Sequence, residues 1–470
     1  MPGHLRSGLG PSSVADRRAY GGAARRPTPP ELHASWEPAP DRPDPIALLE
    51  EQSYRRGREL APARYGRMRH SPLAFFRGGA RIMASDLART PTAGLMTQLS
   101  GDAQLSNFGL FAVPGGHQVF DFCAFDETLP GPFEYDVKRL ATSVTVAARH
   151  AGLSAAECRT LTWASVVAYR TSIAQFAGMG MLEIWYSRIP EEELSRSFNP
   201  AADTRVVFGY PCNTWVVRGC SAGADVAGLW RAVAQGQMHA EDFPEVDDSF
   251  GGPYGHRRNV VAAVRQHIPA LTPRRARAHS VLPERFRIVD ITRAGTTDGS
   301  IDVRAYIVVM QGRDATDLLV LQLKEATTSV LQDHLPAGRY RTAGERVVRG
   351  QRAIQMTPDE FLGWTTGVRT NRSYYVRQLW MSKAMAAVDT MSAGQLDHFV
   401  GLCARTLAHA HAKAGDPIAL DAYLGEDDAF SDAITEFAQR YADQNDRDYA
   451  AFADAVGSGR IAVDDVAPTS

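Results

Sequence analysis

The sequence predicts an α+β fold, a mostly helical body that carries a β-hairpin early and a small antiparallel sheet late. Three observations lead there. Apolar residues recur at helical spacing through residues 46–89, 135–176 and 384–456. Two β-rich runs, 108–113 and 117–122, flank Pro114-Gly115-Gly116, the signature of a hairpin. Residues 285–292, 301–310 and 318–324 are rich in β-branched residues and are separated by the turns GTTDGS and QGRDATD, which reads as an antiparallel meander.

In chain order, residues 1–45 are rich in Pro, Gly, Ala, Arg and Ser and poor in large apolar side chains, so they are expected to form a disordered tail. Residues 46–284 form the helical lobe. It opens with a helical run closed by Pro91–Gly94, followed by a short strand at 95–100, the hairpin, and long helices over 135–150 and 155–176. An extended run at 205–218 has no assigned place. Residues 285–383 are the β-rich unit, with a helix near 343–356 and a further strand at 373–379. Residues 384–470 are C-terminal helices that return to the first lobe.

Composition narrows the function. The net charge of −2 over 470 residues gives no basic field for nucleic acid. Five cysteines, an odd number without CxxC spacing, argue against a disulfide framework or zinc site and for a reducing compartment. No apolar run is long enough to cross a membrane, and the N-terminus lacks a signal-peptide core, so a cytoplasmic protein is expected.

The chemistry concentrates in Leu99–Asp126, LSGDAQLSNFGLFAVPGGHQVFDFCAFD. Asp102 and Asn107 lie five apart after a strand, and Asp121 ends the hairpin. Protein-kinase catalysis uses an aspartate, an asparagine five residues on, and a later metal-binding aspartate. Phosphoryl transfer needs positioning and charge neutralisation. Asp102 would accept the proton of an acceptor hydroxyl, while Asn107 and Asp121 would hold Mg²⁺ against the phosphates of ATP. Separately, Asp102 as a turn former and Asn107 as a left-handed residue are ordinary readings. The strand LVLQLKE delivers Lys324 for the phosphates, with Glu345 on the next helix as its ion-pair partner, since Glu325 points to the opposite face. Gly299 and Ser300, in the hairpin before the lysine strand, are candidates for a phosphate-covering loop or a plain turn.

The chain resembles the bacterial domain of unknown function 2252 family. The motifs that carry the resemblance are SPLAFFRGGARIMASDLA (71–88), LSGDAQLSNFG (99–109), VFDFCAFDETLPGPFEYDVKRLA (119–141), LVLQLKEATTSVL (319–331), GERVVRGQRAIQ (344–355) and YYVRQLWMSK (374–383). AHAHAKAGDPIALDAYLG (408–425) and FAQRYADQNDRDY (437–449) add to them. That family in turn looks like a relative of protein kinases and aminoglycoside phosphotransferases. The resemblance implies a kinase-like bilobal fold in circularly permuted order, because the β-lobe follows the catalytic loop and the helix near 404–414 resembles the one that normally precedes it. It implies Asp136 as a structural acid. The chain departs from the family at Ala124, where a second aspartate is usual, and in the glycine loop, with Thr297, Gly299 and Asp302. Gln104 stands where the phosphotransferase loop usually has histidine. Arg77, in an apolar run, would pair with Asp126 or Asp136 or meet a phosphate. Asp126 and Glu127 would add to the metal site or cap a helix.

The expected function is therefore an ATP- and Mg²⁺-dependent phosphotransferase acting on a hydroxyl of a small molecule or a protein, with nucleotidyl transfer as a variant. The altered glycine loop leaves open a silent pseudokinase that binds a partner. A metal-dependent phosphohydrolase using Asp102, His117, Asp121 and Asp126 is the third reading.

Overall fold

The computed structural model describes residues 13–112, 118–189, 194, 285–293, 303–313, 318–357, 359, 361–366, 372–378, 384–385, 388 and 391–464. The turn residues 114–116, His117, the run 205–218 and the loop carrying Thr297, Gly299, Ser300 and Asp302 lie outside the described residues. What is described is α+β, helices around small antiparallel sheets.

The first departure from expectation is residues 13–44, read from composition as disordered. They open with α1 (Val14–Ala24), which Ser13 and Asp16 start with a reciprocal capping box. Arg17 then meets Asp416 at 2.7 Å and Arg25 meets Asp427 at 3.1 Å. Arg42 bridges Asp86 and Asp448 at 2.8 and 2.6 Å, with all three side chains nearly out of solvent. Trp36 and His33 are buried. The segment needs little apolar surface of its own because its arginines and two rings find partners on helices some 400 positions later in the chain.

Helices α2 (Pro45–Arg56), α3 (Ala61–Met68), α4 (Pro72–Gly78) and α5 (Ala80–Leu87) follow. Strand β1 (Met96–Leu99) leads into the candidate loop. Strands β2 (Phe108–Ala112) and β3 (Gln118–Phe122) make the expected hairpin. Strand β4 (Leu129–Pro132), an LPGP run that gives no strand signal, pairs back on β1 with Leu99 opposite Leu129. Helices α6 (Glu134–His150), α7 (Ala155–Ala177) and α8 (Met181–Tyr186) come next. Helix α6 has Glu134 and Asp136 in its first turn and Arg149 and His150 in its last, which suits the helix dipole.

The late unit comprises β5 (Arg287–Arg293), β6 (Ala305–Gln311), β7 (Leu318–Ala326), α9 (Ala343–Ile354), β8 (Gly363–Thr366) and β9 (Ser373–Gln378). Its strands form one antiparallel sheet in the order β5-β6-β7-β9-β8. Strand β10 (Ala384–Met385) joins the early hairpin in the order β10-β2-β3. Then α10 (Ala393–Ala414), α11 (Pro417–Leu424) and α12 (Ala429–Gly457) close the chain.

The principal core is continuous from Trp36 to Ala442. It joins the hairpin phenylalanines to α6, α7, α9, α10 and α12. The Phe108 and Phe122 rings meet at a tilt with centroids 4.3 Å apart, and Phe120 meets Phe399 of α10 edge-on at 5.6 Å. The C-terminal helices thus complete the core of the early ones. The sheet has its own smaller core on one face. Leu319, Leu321 and Leu323 of β7 face it together with Tyr306, Val308, Met310, Tyr374 and Val376. By the period of two, Gln322 and Lys324 turn to the other face.

Candidate functional site

Three elements of the early half converge. Thr128 Oγ1 donates to the Leu99 carbonyl at 2.5 Å. Cys123 N–H donates to the Asn107 carbonyl at 2.9 Å. Gly101 presses on the backbone of Glu127, where an added Cβ would sit 2.2 Å from the carbonyl oxygen, and its φ of +82° also demands glycine. The loop holding Asp102 and Asn107 and the loop holding Asp126 therefore lie side by side.

Helix α6 fixes the first loop. Asp136 accepts from Ser100 N–H at 2.7 Å and Gly101 N–H at 3.0 Å, and its Oδ2 meets His411 Nε2 at 3.4 Å. The other ring nitrogen of His411 bonds Tyr169 Oη at 2.8 Å. Asp136 thus holds the loop backbone. Asn107 Nδ2 donates to the Asp102 carbonyl at 2.8 Å and to Asp102 Oδ2 at 3.0 Å, so the expected pair is in contact and the amide oxygen points the other way. Arg139 Nε donates to Asp102 Oδ1 at 2.8 Å. Burial pushes the Asp102 carboxyl above its ordinary range, opposed by Arg139. Gln104 is buried inside the loop, where its carbonyl accepts from Asn107 N–H at 2.9 Å and its side-chain oxygen from Ser106 at 2.9 Å.

The late sheet reaches these loops. Lys324 Nζ meets Asp126 Oδ2 at 2.7 Å across 198 positions of sequence, and Tyr375 Oη donates to Asp126 Oδ1 at 3.1 Å. Lys324 lies opposite Tyr375 on β9, and Gln322 lies opposite Arg377, so the four share the sheet face turned to the hairpin. Arg377 donates to Gln322 at 2.9 Å and to the Cys123 carbonyl at 2.9 Å. Burial alone would raise the Asp126 carboxyl and lower the Lys324 amine. Their mutual attraction outweighs it and moves both the other way.

Three expected placements are corrected. Glu345 does not partner Lys324. It sits in the first turn of α9, accepts from Arg341 N–H at 2.7 Å and pairs with Arg349 one turn on at 2.7 Å. The next residue, Arg346, is the one α9 aims at the loop after the hairpin. It donates to the carbonyls of Thr128 at 2.6 Å, Asp126 at 2.7 Å and Thr327 at 2.9 Å. Arg77 makes neither proposed pair, since Asp126 is held by Lys324 and Asp136 by the loop backbone. Asp121 is buried with both oxygens accepting backbone N–H groups, from Phe122 at 2.8 Å and from Met356 at 2.7 Å. Burial pushes its carboxyl up to about 7, opposed by those N–H groups and by Lys413. Asp126, not Asp121, faces the lysine.

Glu127 pairs with Arg56 and accepts from Val330 N–H at 2.7 Å, so it ties down the short helical turn that follows Ser329. Among the described residues no group of three or more His, Cys, Asp or Glu side chains converges as a metal cage. A cavity of about 10 Å³ behind Gly101, lined by Met83, Asp136 and Arg139, has roughly room for one water. Among the described residues no helix is long and apolar enough to cross a membrane. Cys123, Cys158 and Cys403 are buried free thiols.

Sequence reasoning missed Arg139, Arg346 and Tyr375. The one available signal was D-x-x-R in DVKR, an i, i+3 pair that shares a helix face.

Fold and site together define an α+β protein whose early acidic loop and late lysine strand meet at one polar seam. Residues 56–455 match the family described as an uncharacterized protein conserved in bacteria, DUF2252, and the chain belongs to that family. No curated protein and no solved structure matches it.

Proposed function

We propose that this protein is an ATP- and Mg²⁺-dependent phosphotransferase acting on a hydroxyl, with a kinase-like bilobal arrangement written in permuted order. The observation that carries the reading is the Lys324–Asp126 contact at 2.7 Å, which ties the lysine strand to the loop beside Asp102 and Asn107. A lone structural ion pair explains that contact less well than a shared site does, because the same seam presents an aspartate–asparagine pair spaced as phosphoryl transfer requires.

The donor set fits magnesium. Asn107 turns its amide oxygen away from Asp102, and Asp126 offers a partly accessible carboxylate. One or two such oxygens plus phosphates satisfy an ion that keeps several waters. When bound, the metal would neutralise charge on the phosphates. In this reading Asp126 takes the metal role expected of Asp121, whose oxygens are committed to the backbone. Lys324 holds the phosphates in exchange for its carboxylate partner. Asp102 takes the proton as the acceptor oxygen bonds the γ-phosphorus and the bond to the β-phosphate oxygen breaks.

The test is ATP consumption in the presence of Mg²⁺ and pooled metabolites. Wild type should turn over, whereas Lys324→Ala and Asp102→Asn should lose most of the rate. Nucleotide binding without turnover, unchanged by Asp102→Asn, would point to a binding protein instead. Turnover untouched by Lys324→Ala would point to a hydrolase.

A further inference from the structure

Helix α6 grips the loop of residues 100–105 with a single stripe. Asp136 takes the N–H groups of Ser100 and Gly101, Arg139 takes the Asp102 side chain at 2.8 Å, and Ser143 Oγ accepts from Leu105 N–H at 3.2 Å. Positions 136, 139 and 143 are spaced i, i+3 and i+7, one face of a helix. Two of the three hold backbone. Arg139 alone holds the side chain that the reading above makes the base.

Arg139 is itself over-determined. Its Nη2 donates to the Phe76 carbonyl at 2.9 Å, and its guanidinium carbon lies 3.9 Å from the centre of the Phe76 ring. Its side chain is 4% exposed, against 19% for Asp102. The fork therefore cannot follow the carboxylate; the carboxylate is fixed to the fork. Arg139 occupies Oδ1 and Asn107 occupies Oδ2, so the carboxylate can neither rotate nor turn inward. Each oxygen still keeps a second lone pair for an incoming hydroxyl.

Resting on the phosphotransferase reading, we propose that Arg139 is the positioning residue for Asp102, which fixes the orientation of the base without touching nucleotide or acceptor. A lysine there would supply charge without the planar fork and would restore the geometry only in part. Misplacing a reacting group by about 1 Å is worth on the order of 100-fold in rate.

The test is a kinetic cycle on the full chain, with rates normalised to folded protein and unfolding midpoints measured alongside. Arg139→Met should lower the maximal rate of ATP consumption by roughly 10- to 100-fold and leave the KM for Mg-ATP within about twofold. Arg139→Lys should recover part of the rate. In an Asp102→Asn background, Arg139→Met should cost no more than about a further twofold, because the group it acts through is gone. Full additivity in that cycle, or a raised KM at unchanged maximal rate, would overturn the inference. Should Arg139→Met fail to fold, Arg139→Lys carries the test, with a loss of roughly 3- to 10-fold at unchanged KM expected and wild-type kinetics refuting it. A wild-type protein that neither binds nor consumes Mg-ATP overturns the phosphotransferase reading itself, a result distinct from additivity in a working enzyme.

Discussion

Replacing Asp126 by asparagine should separate the seam between the early loop and the late sheet. The carboxylate it removes lies 2.7 Å from Lys324 Nζ, with the two side chains 27% and 11% exposed. Removing one partner of a buried pair costs about 3–5 kcal/mol, mostly because the other charge is left without compensation. Water reaches Asp126 better than it reaches Lys324, so part of that penalty is relieved, and about 2–3 kcal/mol is expected here. Lys324→Met should cost a similar amount, and the double variant should cost much less than the sum, with a coupling of about 2 kcal/mol. Urea unfolding of the wild type, both single variants and the double, followed by circular dichroism, supplies all four numbers. Additivity within about 0.5 kcal/mol would mean that the pair does not join the two halves of the chain, and the reasoning would fail.

Arg346→Lys should destabilise by about 2–4 kcal/mol in the same unfolding assay, because an ammonium, a single point without the planar fork, cannot span the three carbonyls that the two Nη atoms of the guanidinium now reach. Gly21→Ala should release α1 from α11, since a Cβ there would lie 2.0 Å from the Ala419 carbonyl oxygen. Hydrogen exchange over residues 14–24 should speed up while the core amides stay protected. Burial holds His33 down at about 3, against about 6.5 in the unfolded chain. Its neutral form therefore contributes stability in full above pH 6.5, and the contribution is lost as pH falls toward 3. The stability gap between wild type and His33→Gln should narrow by up to about 1.4 kcal/mol per pH unit below 6.5, and a gap constant with pH would refute the assignment.

Much of the fold was legible because it rests on local periodicity. The hairpin, the long helices α6 and α7, and the strand that carries Lys324 all announce themselves by spacing. The Asp102–Asn107 pair was legible because both residues lie in one short loop. The lysine's partner was not, because two sequence cues pointed elsewhere. Asp121 stands where the spacing of a metal aspartate falls, yet the pleat of β3 turns its carboxylate toward the Met356 N–H, and it is the loop beyond that presents Asp126. Glu345 and Arg346 are neighbours, and the rotation of α9 decides which one faces the loop after the hairpin. The buried Val347, Val348 and Ile354 fix that rotation, a signal available only once the helix is docked. The N-terminal segment was misread for the complementary reason. Composition measures what a segment can bury against itself, whereas Arg17, Arg25 and Arg42 are held by carboxylates at the far end of the chain.

In the phosphotransferase reading Lys324, Asp126, Asn107 and Asp102 serve one nucleotide. A crystal structure with Mg²⁺ and a non-hydrolysable ATP analogue tests it most directly. The phosphates should lie within about 3 Å of Lys324 Nζ, and the metal on the Asn107 amide oxygen and the Asp126 carboxylate. An analogue bound elsewhere, with the Lys324–Asp126 pair intact, would contradict it.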